Sequence, residues 1–141
     1  MAYTTRKQAR DLLKTEIDAI ADTWTVYTNI FERGKSLPSI NIVPSGHANY
    51  IDAYDSRALT YNFDIYVLAK LEAYTTDSSG TDFDDGLDDA MDAVDAKNIE
   101  VLDSIHSVID SLGDSSIIRD YTDGNNRIIG LRTQVQVSAN R

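Results

Sequence analysis

The sequence predicts an α+β domain: an antiparallel or mixed β-sheet of about four to five strands, with an N-terminal helix and a central helical segment packed on it. Three observations lead there. A stretch with helical spacing opens the chain, and segments alternating with a period of two follow it. A second helical stretch comes next, and two more alternating segments close the chain. Helices and strands are therefore segregated rather than strictly interleaved. The 141 residues suit one domain, residues 1–141, and the 42% hydrophobic and 9% aromatic content is enough apolar material for a packed core. No internal repeat is visible.

The elements follow in order. "TTRKQARDLLKTEIDAIA" spaces Ala9, Leu12, Leu13, Ile17 and Ile20 as the apolar stripe of a helix, and Thr5 with Gln8 has the form of a capping box. "TWTVYTNIF" switches to a period of two, with Trp24, Val26, Thr28 and Ile30 on one face of a strand. Gly34 and Pro38 make a turn, "SINIV" is a short strand, and "PSG" at Pro44 to Gly46 stops it, which leaves "HANYIDAYDSR" as a loop. From Ala58 to Tyr74 the alternation is the longest in the chain: Leu59, Tyr61, Phe63, Ile65, Val67, Ala69 and Leu71 share a face, and Tyr66, Leu68 and Lys70 lie on the other. At about 3.3 Å per residue such a strand spans about 50 Å, so part of it reaches past the core or bends.

Beyond the linker "TTDSSGTD", with an N-cap expected at Thr81 or Asp82, comes a second helical stripe. Phe83, Leu87, Met91, Val94, Val101, Ile105, Val108 and Leu112 form it, and it is interrupted at Asn98. That pattern predicts two helices or one bent helix, closed by Gly113 as a C-terminal cap. "SSIIRDYTD" and "RIIGLRTQVQVSA" are two further strands joined by "DGNN", whose Gly and Asn residues suit a tight hairpin. In the last strand Ile129, Leu131, Thr133, Val135 and Val137 face one way, and Arg132, Gln134 and Gln136 the other.

Charge narrows the function. Thirteen basic residues against twenty-three acidic give −10, which disfavours roles that grip phosphates. Asp77 to Asp103 holds ten acids and one lysine, so this segment carries −9 and the rest of the chain about −1. With no cysteine, disulfides and thiolate metal sites are excluded. The opening residues carry charge at nearly every turn and no unbroken apolar run, so neither a signal peptide nor a membrane span is expected.

No chemical motif emerges. An EF-hand loop with Gly86 at its sixth position would place Thr81 first and Phe83 third, and one built on Gly124 would begin at Arg119; both fail. Acids in the first helical turns, Asp82, Asp84 and Asp85, complement the helix dipole at about 0.3 to 1 kcal/mol for a well-placed group. The dipole cannot reach Asp92, Asp95 and Asp103, so these later acids form a solvated negative face or meet something specific. His47, near Ser45, Asp52 and Asp55, lacks the nucleophile elbow that would make a catalytic set, and His106 reads as a helix residue beside the apolar stripe. No Gly-rich phosphate loop exists. No catalytic residue, metal ligand or cofactor is assigned. Arg6, Lys7, Arg10 and Lys14 form a positive strip on the first helix: a solvated face, or a dock for the acidic segment of a second copy.

The leading helix, the long strand "LTYNFDIYVLAKLEAY", the helical segment after it and a final hairpin ending in "GLRTQVQVSANR" together resemble the tail terminator, or tail-completion, proteins of long-tailed bacteriophages. The similarity spans nearly the whole chain and rests on element order and length rather than a signature motif. It implies a non-enzymatic virion protein of the tail or neck, made in the bacterial host cytoplasm. It also implies a homo-oligomeric ring, most often a hexamer, that caps the tail tube protein and then joins a head connector or adaptor protein. DNA would pass through the ring without specific binding. Under this reading Arg6, Lys7, Arg10, Lys14, Tyr66, Leu68 and Lys70 are candidate interface residues. Asp84, Asp85, Asp88, Asp89, Asp92 and Asp95 are a candidate channel or repulsive surface. Two alternatives remain open: an acidic module that mimics nucleic acid to occupy a basic cleft, and an enzyme that uses the acidic helix with a metal.

Overall fold

Local chemistry at the N-terminus builds the first helix, α1 (Arg6–Ala21). The Thr5 hydroxyl accepts from the Gln8 backbone N–H at 3.1 Å, and the Gln8 side chain accepts from the Thr5 N–H at 2.8 Å. This is the capping box the sequence predicts, and it satisfies two of the donors a helix start leaves open. Ala9, Leu13, Ile17 and Ala21 are buried, a narrow stripe at four-residue spacing. Leu12, predicted to join the stripe, is 44% exposed instead, because it sits about 100° around the helix from Leu13 and past the edge of the covered face. The helix ends in a tight turn: the Trp24 N–H donates to the Ala21 carbonyl at 2.9 Å, and Asp22 takes φ 54° and ψ −115°.

The computed structural model describes residues 5–28, 37–53, 56–70, 80–123 and 126–138; at 47–53, 56–59, 80–85, 119–123 and 126–127 it describes the backbone alone. The strands are β1 (Thr25–Tyr27), β2 (Ser39–Ala53), β3 (Ser56–Lys70), β4 (Ser111–Asp123) and β5 (Asn126–Ser138), and a second helix, α2 (Gly80–Ser104), lies between β3 and β4. One sheet runs in the order β1-β2-β3-β5-β4. Only β1 and β2 are parallel; the other neighbours are antiparallel. The architecture is thus the α+β class with a mixed five-stranded sheet.

The core forms where the period-two faces meet the helical stripes. Register places Ile40 beside Val67 and Leu131, Ile42 beside Ile65 and Thr133, and Phe63 beside Val135, all on one face. That face is buried from Tyr61 to Ala69 along β3 and from Ile129 to Val137 along β5, at every second residue. Helix α1 lies over β1 and β2, α2 over β3 and β5, and the helices pack on each other. Thr133 is fully buried among these apolar groups, and its hydroxyl is satisfied by Ser115 Oγ at 2.6 Å.

Five expectations are corrected. First, "PSG" does not stop a strand: β2 runs on through it to Ala53, and "HANYIDA" is strand rather than loop. A bulge between Pro44 and Gly46 absorbs the extra residue Ser45, shifting the side-chain phase and hiding the period. Second, the strand expected at Trp24 to Phe31 is described only over Thr25–Tyr27, with Thr28 in a bend; Ile30 and Phe31 lie outside the described residues. Third, of the two alternatives for the central segment it is the single helix that forms, 25 residues with Asn98 buried within it at 5% exposure, and it starts at Gly80, so Thr81 and Asp82 lie inside the helix rather than at its N-cap. Fourth, Gly113 lies in β4, not at a helix cap, because the chain turns at Ile105 to Val108 and enters the strand at Ser111. Fifth, Leu112 belongs to the same strand and leaves the helical stripe, 52% exposed. The β4–β5 hairpin is as expected, its last pair being Asp123 with Asn126; Gly124 and Asn125 lie outside the described residues, as do Leu71 to Tyr74 at the end of the long alternating stretch.

The long strand extends past its neighbour β5. β5 ends at Ser138 opposite Thr60, yet β2 and β3 continue together from the Ala48–Thr60 pair to the Ala53–Ser56 pair. Among the described residues no third strand accompanies this arm of roughly 17 Å.

Candidate functional site

The candidate residues fall on three separate surfaces. The first is the outward face of α2. Asp88, Asp89, Asp92 and Asp95 are all exposed, and Glu100 and Asp103 extend the same side of the helix. Asp84 and Asp85 lie in the opening turns of α2, with side chains outside the description. The one lysine of the segment, Lys97, points the other way and is 9% exposed. Its ammonium donates to the Ile20 carbonyl at 3.1 Å, meets Glu100 at 3.0 Å and lies 5.9 Å from the centre of the Trp24 ring. Among the described residues Lys97 thus meets Glu100 at the border of this face, and no ion pair is formed by Asp88, Asp89, Asp92 or Asp95.

The second surface is the strip on α1. Arg6 and Lys7 are exposed, and the Arg6 guanidinium stands 5.8 Å from the Tyr61 ring centre. Lys14 bonds Asp18 at 2.6 Å and Arg10 lies 3.7 Å from Asp11. Two of the four basic groups thus have acidic neighbours on their own helix, which weakens the field of the strip.

Tyr66, Leu68 and Lys70 lie on the third surface, the sheet face turned away from both helices, because Ile65, Val67 and Ala69 face the core. The structure does not bring them together with the α1 strip. Tyr66 and Lys70 are half-buried. Leu68 is only 8% exposed, since it lies across Gly130, where a Cβ would come within 2.7 Å of its Cδ2. It offers a neighbour little area.

Two features escape the sequence reading. The outer edge of β4 pairs with no strand among the described residues, and Leu112 and Ile117, which register places on the core side of the sheet, are each 52% exposed beyond the helical cover. Ile99, on the acidic face of α2, is 61% exposed. Its position four residues after Asp95 and four before Asp103 is the signal that would have revealed it.

Ser45 and Asp52 are seven positions apart along the extended strand β2, about 23 Å of backbone, and Asp55 lies outside the described residues. His106 is exposed in the turn after α2. Among the described residues no group of three or more His, Asp or Glu side chains is placed to hold a metal ion, and no helix is long and apolar enough to cross a membrane.

No protein-family model and no curated protein sequence matches this chain. Function must be argued from its surfaces.

Proposed function

We propose that this chain is a ring-forming structural subunit of the tail-terminator or tail-completion class, capping a phage tail tube and joining it to the head connector around a channel for DNA. The observation that supports it is the open edge of β4. β4 (Ser111–Asp123) meets a strand on one side only among the described residues, with Leu112 and Ile117 uncovered on it, and irregularities between Leu112 and Ser115 and between Ile118 and Tyr121 divide its length. An open edge is a template for strand pairing, and Ser115 to Ile118, between the two irregularities, is the regular stretch of β4 that a neighbouring strand could meet. The β2–β3 arm supports the same reading, because a two-stranded ribbon is marginally stable alone in water and gains stability by lying against another surface. An open edge and an arm on one subunit are different patches, and a contact between different patches repeats from subunit to subunit, closing a ring where its rotation divides a full turn.

The role needs no catalytic group. The subunits assemble with one another, a hexamer being the expected order, and with the tail tube and head connector proteins. The acidic α2 face repels the phosphate backbone and discourages DNA from adhering during passage.

Light scattering and electron micrographs of the purified protein, alone and mixed with tail tubes, test the reading. Closed rings are expected. A strict monomer in both conditions would refute it. Ile117→Lys places a charge beside the open edge without touching the core, so it should leave the melting temperature nearly unchanged and reduce ring formation.

A further inference from the structure

The helical layer stops short of β4. Leu112 and Ile117 lie on the core side of this strand, opposite Val135 and Leu131, and are each 52% exposed. Which flank of α2 borders them follows from Lys97, which faces α1 through Ile20 and Trp24 and lies about 60° to one side of Val94. Met91, Leu102, Asp95 and Asp88 lie roughly 60° to 120° to the other side, so they face β4. Half-buried Met91 and Leu102 are the wall of an apolar corner, Leu112 and Ile117 are its floor, and exposed Asp88 and Asp95 are its rim.

The opposite end of the molecule is basic. Arg6 lies at Tyr61, and the Asp110 N–H donates at 2.7 Å to the carbonyl of Gln136, whose partner Asn62 is next to Tyr61. The start of α1 and the end of α2 therefore share one end of the sheet, while Ile20 sits at Lys97, back along α2: the helices are antiparallel. Two antiparallel helices on one sheet are related by a two-fold axis, so their facing flanks turn the same way from the core stripe. Glu16 then faces α2, and Lys14 and Lys7, roughly 100° to 120° from Leu13 on the other side, face outward past β1.

We propose that the corner over β4 receives the α1 end of a second copy, whose β1 edge pairs with Ser115 to Ile118 and whose Lys7 and Lys14 meet Asp88 and Asp95. This rests on the ring reading above and names the partner of its open edge. Charge and spacing select the occupant: the two lysines and the two aspartates are each seven positions apart, about 10.5 Å along a helix. Direction agrees as well. A copy in the same orientation brings its β1 antiparallel to β4 and its α1 antiparallel to α2. The Lys14–Asp18 bond joins side chains 42% and 46% exposed and is too weak to withhold the ammonium. A contact of β4 with another β4 would instead set two acidic flanks against each other. Asp92 and Asp103 point away from the sheet, roughly 160° to 180° from Val94, and stay outside the contact.

Two variants of the full chain each lose one end: Lys7→Glu with Lys14→Glu, and Asp88→Lys with Asp95→Lys. None of the four side chains lies in the core, so circular dichroism should be unchanged; Lys7→Gln with Lys14→Gln and Asp88→Asn with Asp95→Asn replace any reversal that misfolds. Sedimentation velocity should show self-association of each variant alone weakened about tenfold or more. Mixed one to one, the two should form a dimer that grows no further, because each supplies the end the other lacks. A chain with all four reversals should assemble again. Either variant assembling like the wild type, or a mixture that stays monomeric, would overturn the proposal. Rings that survive Lys7→Glu with Lys14→Glu would refute this contact and keep the ring reading. Open filaments of the wild type that both variants abolish would do the reverse, and a wild type that is strictly monomeric, alone and with tail tubes, would refute both.

Discussion

Lys97 is the most exacting test of how the helical layer is held. Its side chain is 11% exposed, with the ammonium on the Ile20 carbonyl at 3.1 Å. Ile20 lies in the last turn of α1, where carbonyls lack intrahelical partners and the helix dipole favours a cation. A hydrogen bond from a charged donor contributes about 1.5 to 3 kcal/mol, and the Trp24 ring face adds about 0.5 to 1 kcal/mol. Glu100 is 56% exposed and screened, so its share is small. Against these stands the cost of desolvating an ammonium, several kcal/mol when complete, which an apolar replacement removes. The balance predicts that Lys97→Met, which keeps most of the stem, costs about 1 to 2 kcal/mol. Lys97→Ala also removes three buried methylenes at about 0.8 kcal/mol each and should cost about 3 to 4 kcal/mol. At about 3 °C per kcal/mol for a domain of this size, the melting temperature falls by roughly 3–6 °C and 10 °C respectively. Thermal unfolding followed by circular dichroism measures both, and emission from Trp24, the sole tryptophan, reports whether the contact is lost. A Lys97→Met variant as stable as the wild type would show that desolvation cancels the bond and that only the stem holds α2 to α1.

Three further outcomes follow from local geometry. The turn Ala21–Trp24 has Asp22 at φ 54° and ψ −115°, the first central position of a type II′ turn, which glycine favours; Asp22→Gly should stabilise by about 1 kcal/mol in chemical denaturation. At Gly130 a Cβ would come within 2.2 Å of the Val67 carbonyl oxygen, so Gly130→Ala must push β3 and β5 apart and should cost about 2 kcal/mol or more, read as a lowered denaturation midpoint. Asp88 and Asp92, four apart and both exposed, repel each other; Asp88→Asn should raise the melting temperature by about 1 °C at low salt and by nothing measurable at 1 M salt.

Both helices, the long β3 strand and the final hairpin were legible in the sequence because each declares itself locally. Thr5 and Gln8 cap α1 through groups three residues apart, and alternation from Tyr61 to Ala69 and from Ile129 to Val137 fixes which face is buried. The continuation of β2 was not legible, because a bulge at Pro44 to Gly46 reverses the side-chain phase, and a turn signal and a bulge are written in the same residues. Of the candidate surfaces, the sequence located the acidic face of α2 and the basic strip of α1. It did not show that Lys14 and Arg10 meet acids on their own helix, nor that Tyr66 and Lys70 lie on a different surface from them.

What the sequence determined by itself was the side of each element on which a residue sits, since periodicity depends only on the geometry of a helix or a strand. Tertiary structure decided whether anything covers that side. Ile117 and Leu131 are paired on one face of the sheet, yet Leu131 lies under the helical layer at 7% exposure and Ile117 beyond it at 52%. Lys97 and Ile99 are two residues apart on one helix; the first is buried because Ile20 and Trp24 receive its ammonium, and the second stands in water because no described element reaches it. Burial is a property of neighbours distant in the chain, and the edge of β4, where no further strand lies among the described residues, is where a partner is proposed to bind.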